Sequence, residues 1–176
     1  MDSQSELPER LRQFYHLEPL PIEGGLFKQT YRSTEKVNRD SLPERYQETH
    51  PFGTAIVYMF NTDQDCFSAM HYLLTDEVYH FYMGDPVEML LLYPDGHSDH
   101  IFLGQDVFSG QRVQFIAPAG VWQGSHLIDG GQYALMGMTM APGYVDSDYI
   151  AGIREELINL YPYETSKILR LTRLAE

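Results

Sequence analysis

Phe67-Ser68-Ala69-Met70-His71-Tyr72-Leu73-Leu74-Thr75-Asp76-Glu77-Val78-Tyr79-His80-Phe81-Tyr82-Met83-Gly84 reads as two strands with a short break between them. Ser68 to Leu74 and Glu77 to Met83 are rich in aromatic and aliphatic residues, and Thr75-Asp76 is the turn former. Successive side chains in a strand point to opposite faces. His71 and Leu73 therefore share one face of the first strand, and Glu77, Tyr79 and Phe81 share one face of the second. Pairing of the two strands as a hairpin would let His71 and Glu77 meet inside whatever the strands enclose.

The same texture continues outward from this block. Strands are expected at Leu26 to Arg32, Thr54 to Asn61, Val87 to Tyr93, His100 to Leu103, Val113 to Ile116 and Tyr133 to Met140, with a further one carrying Gln123. Turn formers separate them: Gly84-Asp85-Pro86, Pro94-Asp95-Gly96, Ser109-Gly110, Pro118-Ala119-Gly120 and Asp129-Gly130-Gly131. Many short strands at this spacing argue for a sandwich or barrel, because closure removes exposed edges. Residues 33–51 are polar and read as a surface loop or a short helical excursion across a subunit boundary.

The longer helices are expected at the ends. The first covers about residues 6–15, with Ser5 as its cap and Leu7, Leu11 and Phe14 on one face at helical spacing. The second begins near Asp146 or Ser147, with Ile150, Ile153, Leu157 and Leu160 on one face, and Pro162 stops it. A last short helix carries Ile168, Leu169 and Leu171. The 176 residues fit one domain, 1–176, with a barrel over about residues 24–143 and flanking helices over about 6–15 and 147–171.

Composition bounds the function. Twelve basic residues against 25 acidic ones leave a net charge of −13, a surface that repels phosphate backbones and anionic membranes, so neither nucleic acid nor membrane is an expected partner. A lone cysteine, Cys66, allows no internal disulfide and reads as a small residue near a strand start. The amino terminus shows no apolar signal core, and no stretch approaches the roughly 20 apolar residues that span a bilayer. A cytoplasmic protein acting on a small molecule is the expectation.

The chemistry-bearing residues fall in two blocks. Besides His71, Glu77 and Tyr79, the segment Pro118-Ala119-Gly120-Val121-Trp122-Gln123 leads into a strand on which Gln123 and Ser125 share a face. The first block resembles the first cupin motif, a His-x-His pair followed by a glutamate and then a glycine. Glu77 and Gly84 keep the spacing, His71 takes the first histidine position, and Leu73 stands at the second. The later block resembles the second motif, Pro-x-Gly-x-x-His, with Gln123 in place of the histidine. Together with Glu23-Gly24-Gly25-Leu26-Phe27, Thr30-Tyr31-Arg32-Ser33 and Ala141-Pro142-Gly143-Tyr144, these segments are similar to the cupin-5 subfamily. The resemblance implies an all-β fold, a double-stranded β-helix (cupin jelly-roll barrel) with short N-terminal and C-terminal α-helices, and a homodimer.

A metal site of the usual cupin kind offers several imidazoles and a carboxylate. Here a metal would find His71, Glu77 and the amide of Gln123, a poor set for ions that favour imidazole. The expectation is therefore that no cofactor is required, with a weakly bound divalent metal as the alternative. Without metal, His71 is the candidate base, Glu77 its orienting partner and Tyr79 a phenol beside them, while Gln123, Arg32, Trp122 and Ser125 are candidate substrate contacts. The set suits an isomerase, epimerase or lyase acting next to a carbonyl of a small polar or sugar-like compound. A module that binds a metabolite without converting it, and a weakly metal-dependent oxygenase or isomerase, are the alternatives. The bland readings stay beside these: a self-satisfied His–Glu pair, Tyr79 and Trp122 as packing, Arg32 in a surface ion pair, His80 as structural or interfacial, His97 and His126 in exposed turns, and Met136, Met138 and Met140 as a packed face.

Overall fold

A computed structural model describes residues 6–63 and 65–173. Ser5, expected to cap the first helix, lies outside the described residues. Thirteen strands follow one another: Glu18–Pro19 (β1), Leu26–Arg32 (β2), Lys36–Val37 (β3), His50–Pro51 (β4), Thr54–Phe60 (β5), Phe67–Leu73 (β6), Glu77–Gly84 (β7), Val87–Leu92 (β8), Ser98–Leu103 (β9), Gln114–Ala117 (β10), Trp122–Leu127 (β11), Ala134–Met140 (β12) and Tyr149–Ala151 (β13). Three short helices, Leu7–Tyr15 (α1), Arg154–Leu160 (α2) and Thr165–Arg170 (α3), flank them. Among the described residues no helix is long and apolar enough to cross a membrane.

The strands form a six-stranded sheet, β1-β2-β5-β12-β7-β10, and a five-stranded sheet, β13-β6-β11-β8-β9. Their inner faces share one core. Tyr58, Phe60, Tyr79, Phe81, Met136 and Met138 from the first sheet pack with Val87, Met89, Leu91, Ile101, Leu103 and Leu127 from the second. This is the jelly roll that the family resemblance implied, within the sandwich-or-barrel class that strand spacing led us to expect, and Met136 and Met138 pack into its interior.

Three local expectations are corrected. β6 and β7 do not pair as a hairpin. They belong to opposite sheets, and the Thr75-Asp76 corner carries the chain from one to the other. His71 and Glu77 therefore meet across the barrel. The expected helix from residue 147 is also displaced: Tyr149–Ala151 is a strand that pairs with Leu73, Tyr72 and His71, and α2 starts only at Arg154. An open sheet edge presents unpaired backbone groups, and an extended aromatic and β-branched triplet satisfies them better than a helix would. Ile153 and Leu160, grouped on the helix's apolar face in sequence, are 57% and 64% exposed. In α1 the covered face is Leu11 and Tyr15, packed on Leu17, Leu26, Met59 and Leu135, while Phe14 is 76% exposed.

Residues 33–51 hold a small β3–β4 ribbon fastened to the barrel rather than a free loop. His50 is fully buried, donates from Nδ1 to the Glu48 carbonyl at 2.8 Å, and sets Nε2 3.0 Å from both carboxylate oxygens of Asp148.

Candidate active site inside the barrel

A β-bulge shapes the site. β11 sets Gln123 opposite His71 and Ser125 opposite Ser68, so three steps along β6 match two along β11. The extra residue resets the alternation of β6, and Ser68 and His71, three residues apart, both turn toward the interior. Backbone groups at the bulge bond elsewhere: Ala69 N donates to Glu23 O at 2.8 Å and Met70 N to Leu171 O at 2.7 Å. The Ala69 carbonyl, in turn, accepts a 2.7 Å hydrogen bond from His71 Nδ1. A carbonyl can only accept, so Nδ1 carries the proton and Nε2 keeps a lone pair.

That lone pair faces the Gln123 amide. Gln123 Nε2 lies 3.2 Å from His71 Nε2 and donates a 2.8 Å hydrogen bond to Glu77 Oε2. Tyr79 donates to the same carboxyl oxygen at 2.9 Å. His71 and Gln123 come from the five-stranded sheet, and Glu77 and Tyr79 from the facing one. All four are buried. The carboxylate expected to orient the imidazole does not do so directly: the Ala69 carbonyl fixes the ring, and Glu77 reaches it through the amide of Gln123.

Burial inverts the usual order of these groups. Desolvation pushes Glu77 up to about 7, helped by the charge of Glu23 and opposed by His71, Tyr79 and Gln123. Desolvation also holds His71 below its ordinary value, against the pull of Glu77 and of the Ala69 bond. A neutral base and a carboxyl able to hold a proton thus stand side by side near neutral pH.

Several members of the cluster escaped sequence reading. Glu23 enters from the turn before β2, accepts from Ser68 Oγ at 2.8 Å, and is pushed up to about 7 by burial. Gly24 and Gly25 make that entry possible. Both have positive φ, and a Cβ on Gly25 would collide with the ring of Tyr58, whose hydroxyl donates to Gly24 O at 2.9 Å. Tyr149 stacks on His71, and its hydroxyl is buried with no hydrogen-bond partner; Gln123 Oε1 is left in the same condition. Burying an unpaired polar atom costs about 1–3 kcal/mol, so two beside one imidazole are a notable feature. Glu23 does precede the Gly-Gly pair in the sequence, which marks a tight turn. Ser68 and Tyr149 were hidden by the bulge and by the displaced helix.

Not every expected contact joins the cluster. Ser125 is buried on the face of Gln123. Trp122 points out of the barrel, as alternation requires, and meets Tyr72 edge to face at 4.6 Å beneath the C-terminal helices. Arg32 is exposed and donates from Nη1 to Tyr144 O at 2.9 Å, away from the interior. His80 lies on the outer side of β7 against Thr139 and Gln114. His126, expected in an exposed turn, is buried on β11 with Nδ1 donating to Leu127 O at 2.7 Å. Two surface depressions, of about 320 and 240 Å³, are lined by other residues, among them Arg12 with Gln132 and Cys66 with Arg170.

The donor set does not fit a resident transition metal. Gln123 presents its NH₂, not its oxygen, between His71 and Glu77, where an ion would have to sit. Leu73 supplies no ligand, and His80 is turned away. Among the described residues no three His, Cys, Asp or Glu side chains are grouped to hold an ion.

The family model of the cupin superfamily designated Cupin_5 (DUF985) matches residues 9–151, and the protein belongs to this cupin family. Uncharacterized protein YML079W of Saccharomyces cerevisiae is 26% identical over 135 residues, covering 72% of this chain and 66% of the yeast protein, just short of two thirds of its length. Among solved structures, protein SO0799 from Shewanella oneidensis matches with a TM-score of 0.82 at 26% identity, over 95% of this chain and 98% of that one. A hypothetical protein from Leishmania major matches with a TM-score of 0.80 at 24% identity, over 94% and 98% of the two chains. These likenesses agree on the cupin jelly roll and name no reaction.

Proposed function

We propose that the barrel interior is a small-molecule site working by metal-independent proton transfer, as in an isomerase, epimerase or lyase acting next to a carbonyl group. The carrying observation is the fixed tautomer of His71: Nδ1 is committed to the Ala69 carbonyl, and Nε2 keeps a lone pair that the Gln123 amide faces at 3.2 Å and a substrate would displace, beside a carboxyl near 7. Groups whose surroundings push an imidazole down and a carboxyl up form a matched base and acid at neutral pH. In such a step His71 Nε2 takes the proton from carbon. The phenol of Tyr149, rather than Tyr79, stabilises the developing oxyanion, because the Tyr79 hydroxyl is already given to Glu77.

Solvent-deuterium exchange tests this even while the substrate is unidentified. Protein in D₂O is incubated with a panel of aldoses, ketoses and 2-oxo acids, and exchange at the carbon next to the carbonyl is followed by proton NMR. The reading expects exchange in at least one compound, insensitive to chelator and lost in His71→Ala. Exchange that persists undiminished in His71→Ala removes His71 as the base.

One observation favours a second reading, a module that binds a metabolite unchanged: His71, Glu77, Gln123 and Tyr79 already satisfy much of one another's hydrogen bonding. It expects thermal stabilisation by a ligand recovered chemically intact. A homodimer is also proposed from the family likeness, and sedimentation at micromolar protein decides it.

A further inference from the structure

We propose that the barrel interior takes a ligand bearing an amine or ammonium group, an inference that rests on the interior being a ligand site. The ground for it is a segregation of charge. None of the twelve Lys and Arg side chains is buried. The partly covered ones are engaged outside the barrel interior: Arg39 with Glu44 O, Arg154 with Thr172, and Lys167 with Glu88. Arg173, at the end of the described chain, donates to Ile22 O and Asp65 O and lies over the Phe67 ring. Inside stand two carboxyls, Glu23 and Glu77; the charge of Glu23 disfavours the ionisation of Glu77, and neither is paired with a Lys or Arg among the described residues.

The hydrogen bonds left over have the same polarity. Ser68 donates to Glu23, Tyr58 to Gly24 O, Tyr79 to Glu77, and the Gln123 amide faces Glu77 and His71. Those donors are committed. Gln123, only 2% exposed, keeps a bare acceptor in Oε1, and the Tyr149 hydroxyl is also unpartnered. A carboxylate or phosphate ligand would meet two acids, and the basic side chain beside them, His71, is held toward its neutral form by burial. An ammonium would meet the carboxyls, the free amide oxygen and the phenol rings, whose faces attract cations. It would also supply the counter-charge that a buried carboxylate otherwise lacks.

Three four-carbon probes that differ at one end separate the ligand classes: 4-aminobutan-1-ol, butane-1,4-diol and 4-hydroxybutyrate. Calorimetric or ligand-detected NMR titration is expected to give the amino alcohol a Kd at least about tenfold below that of the hydroxy acid, with the diol between them. Glu23→Gln, checked for fold by circular dichroism, should erase most of that preference, while Glu77→Asp, which retains the charge, should keep it. His71→Ala should keep the amine preference even where proton exchange is lost, which separates this inference from the proton-transfer reading. Tighter binding of 4-hydroxybutyrate overturns the amine assignment and leaves the site standing. Failure of all three probes to bind overturns both.

Discussion

Tyr149 lies almost flat on His71, with ring centroids 4.8 Å apart and planes 20° from parallel. The stack arises because β13 pairs with β6, setting Ala151 opposite His71 and Tyr149 opposite Leu73. The Ala69 bond fixes the imidazole's tautomer, the stack fixes its plane, and the phenol hydroxyl stays uncommitted beside it.

Tyr149→Phe keeps the stack and removes one unpaired hydroxyl. Its stability by urea denaturation should stay within about 1 kcal/mol of wild type, while any carbonyl-adjacent exchange falls roughly a hundredfold. Tyr149→Ala also removes the ring and should lose about 1–3 kcal/mol, since the side chain is only partly buried. Unchanged exchange in Tyr149→Phe would take the phenol out of the chemistry.

Metal binding should be recoverable by restoring imidazoles. Wild-type protein purified without chelator should carry far less than one transition-metal ion per chain by plasma mass spectrometry. Leu73→His combined with Gln123→His places two further imidazoles near His71 and Glu77, and should bind zinc or manganese with a raised Tm. Stoichiometric, tightly held metal in the wild type would contradict the donor-set argument.

Glu23 sets a measurable pH dependence. Its carboxyl is raised from 4.5 to about 7 on folding, so between those values the folded state binds more protons than the unfolded one. Stability from this group is therefore complete below about 4.5, falls as pH rises toward 7 and then levels off. The slope is on the order of 1 kcal/mol per pH unit at most. Glu23→Gln should gain on wild type across that window in paired urea titrations at pH 5 and pH 8. A gap that narrows with rising pH would show that the carboxyl is not buried as described.

His100 runs the other way. Its ring lies 3.0 Å from Glu88 Oε1 and 3.1 Å from the Glu164 carboxylate, and these partners raise it above its ordinary value despite partial burial. A raised imidazole contributes stability below about 6.5 that is lost as pH rises through its folded value. Amide exchange in α3, which follows Glu164, should accelerate from pH 6 to pH 8 once corrected for intrinsic rates, and less so in His100→Gln.

Alternation and turn formers were enough to read the main barrel strands and to set His71 with Leu73, and Glu77 with Tyr79, on shared faces; Gln123 joined them through the resemblance to the second cupin motif. What stayed hidden depended on long-range pairing. The route by which His71 meets Glu77 required knowing that β6 and β7 belong to different sheets, because a two-residue break fits a corner as well as a hairpin. Ser68 was masked by the bulge, which breaks the two-residue period on which facing is judged. Tyr149 was masked because Ile150, Ile153 and Leu157 fit a helical period, while a sheet edge claimed Tyr149–Ala151 instead.

The proposed chemistry requires His71 to be a neutral imidazole with its proton on Nδ1 while buried beside Glu77. Long-range ¹H–¹⁵N correlation spectra of histidine-labelled protein, recorded from pH 5.5 to 8 and assigned with His71→Gln, read this directly. The expected result is a protonated Nδ1 and a bare Nε2 at pH 7, with no conversion to imidazolium until below about 6.5. An imidazolium at pH 7, or a proton on Nε2 instead, would contradict it.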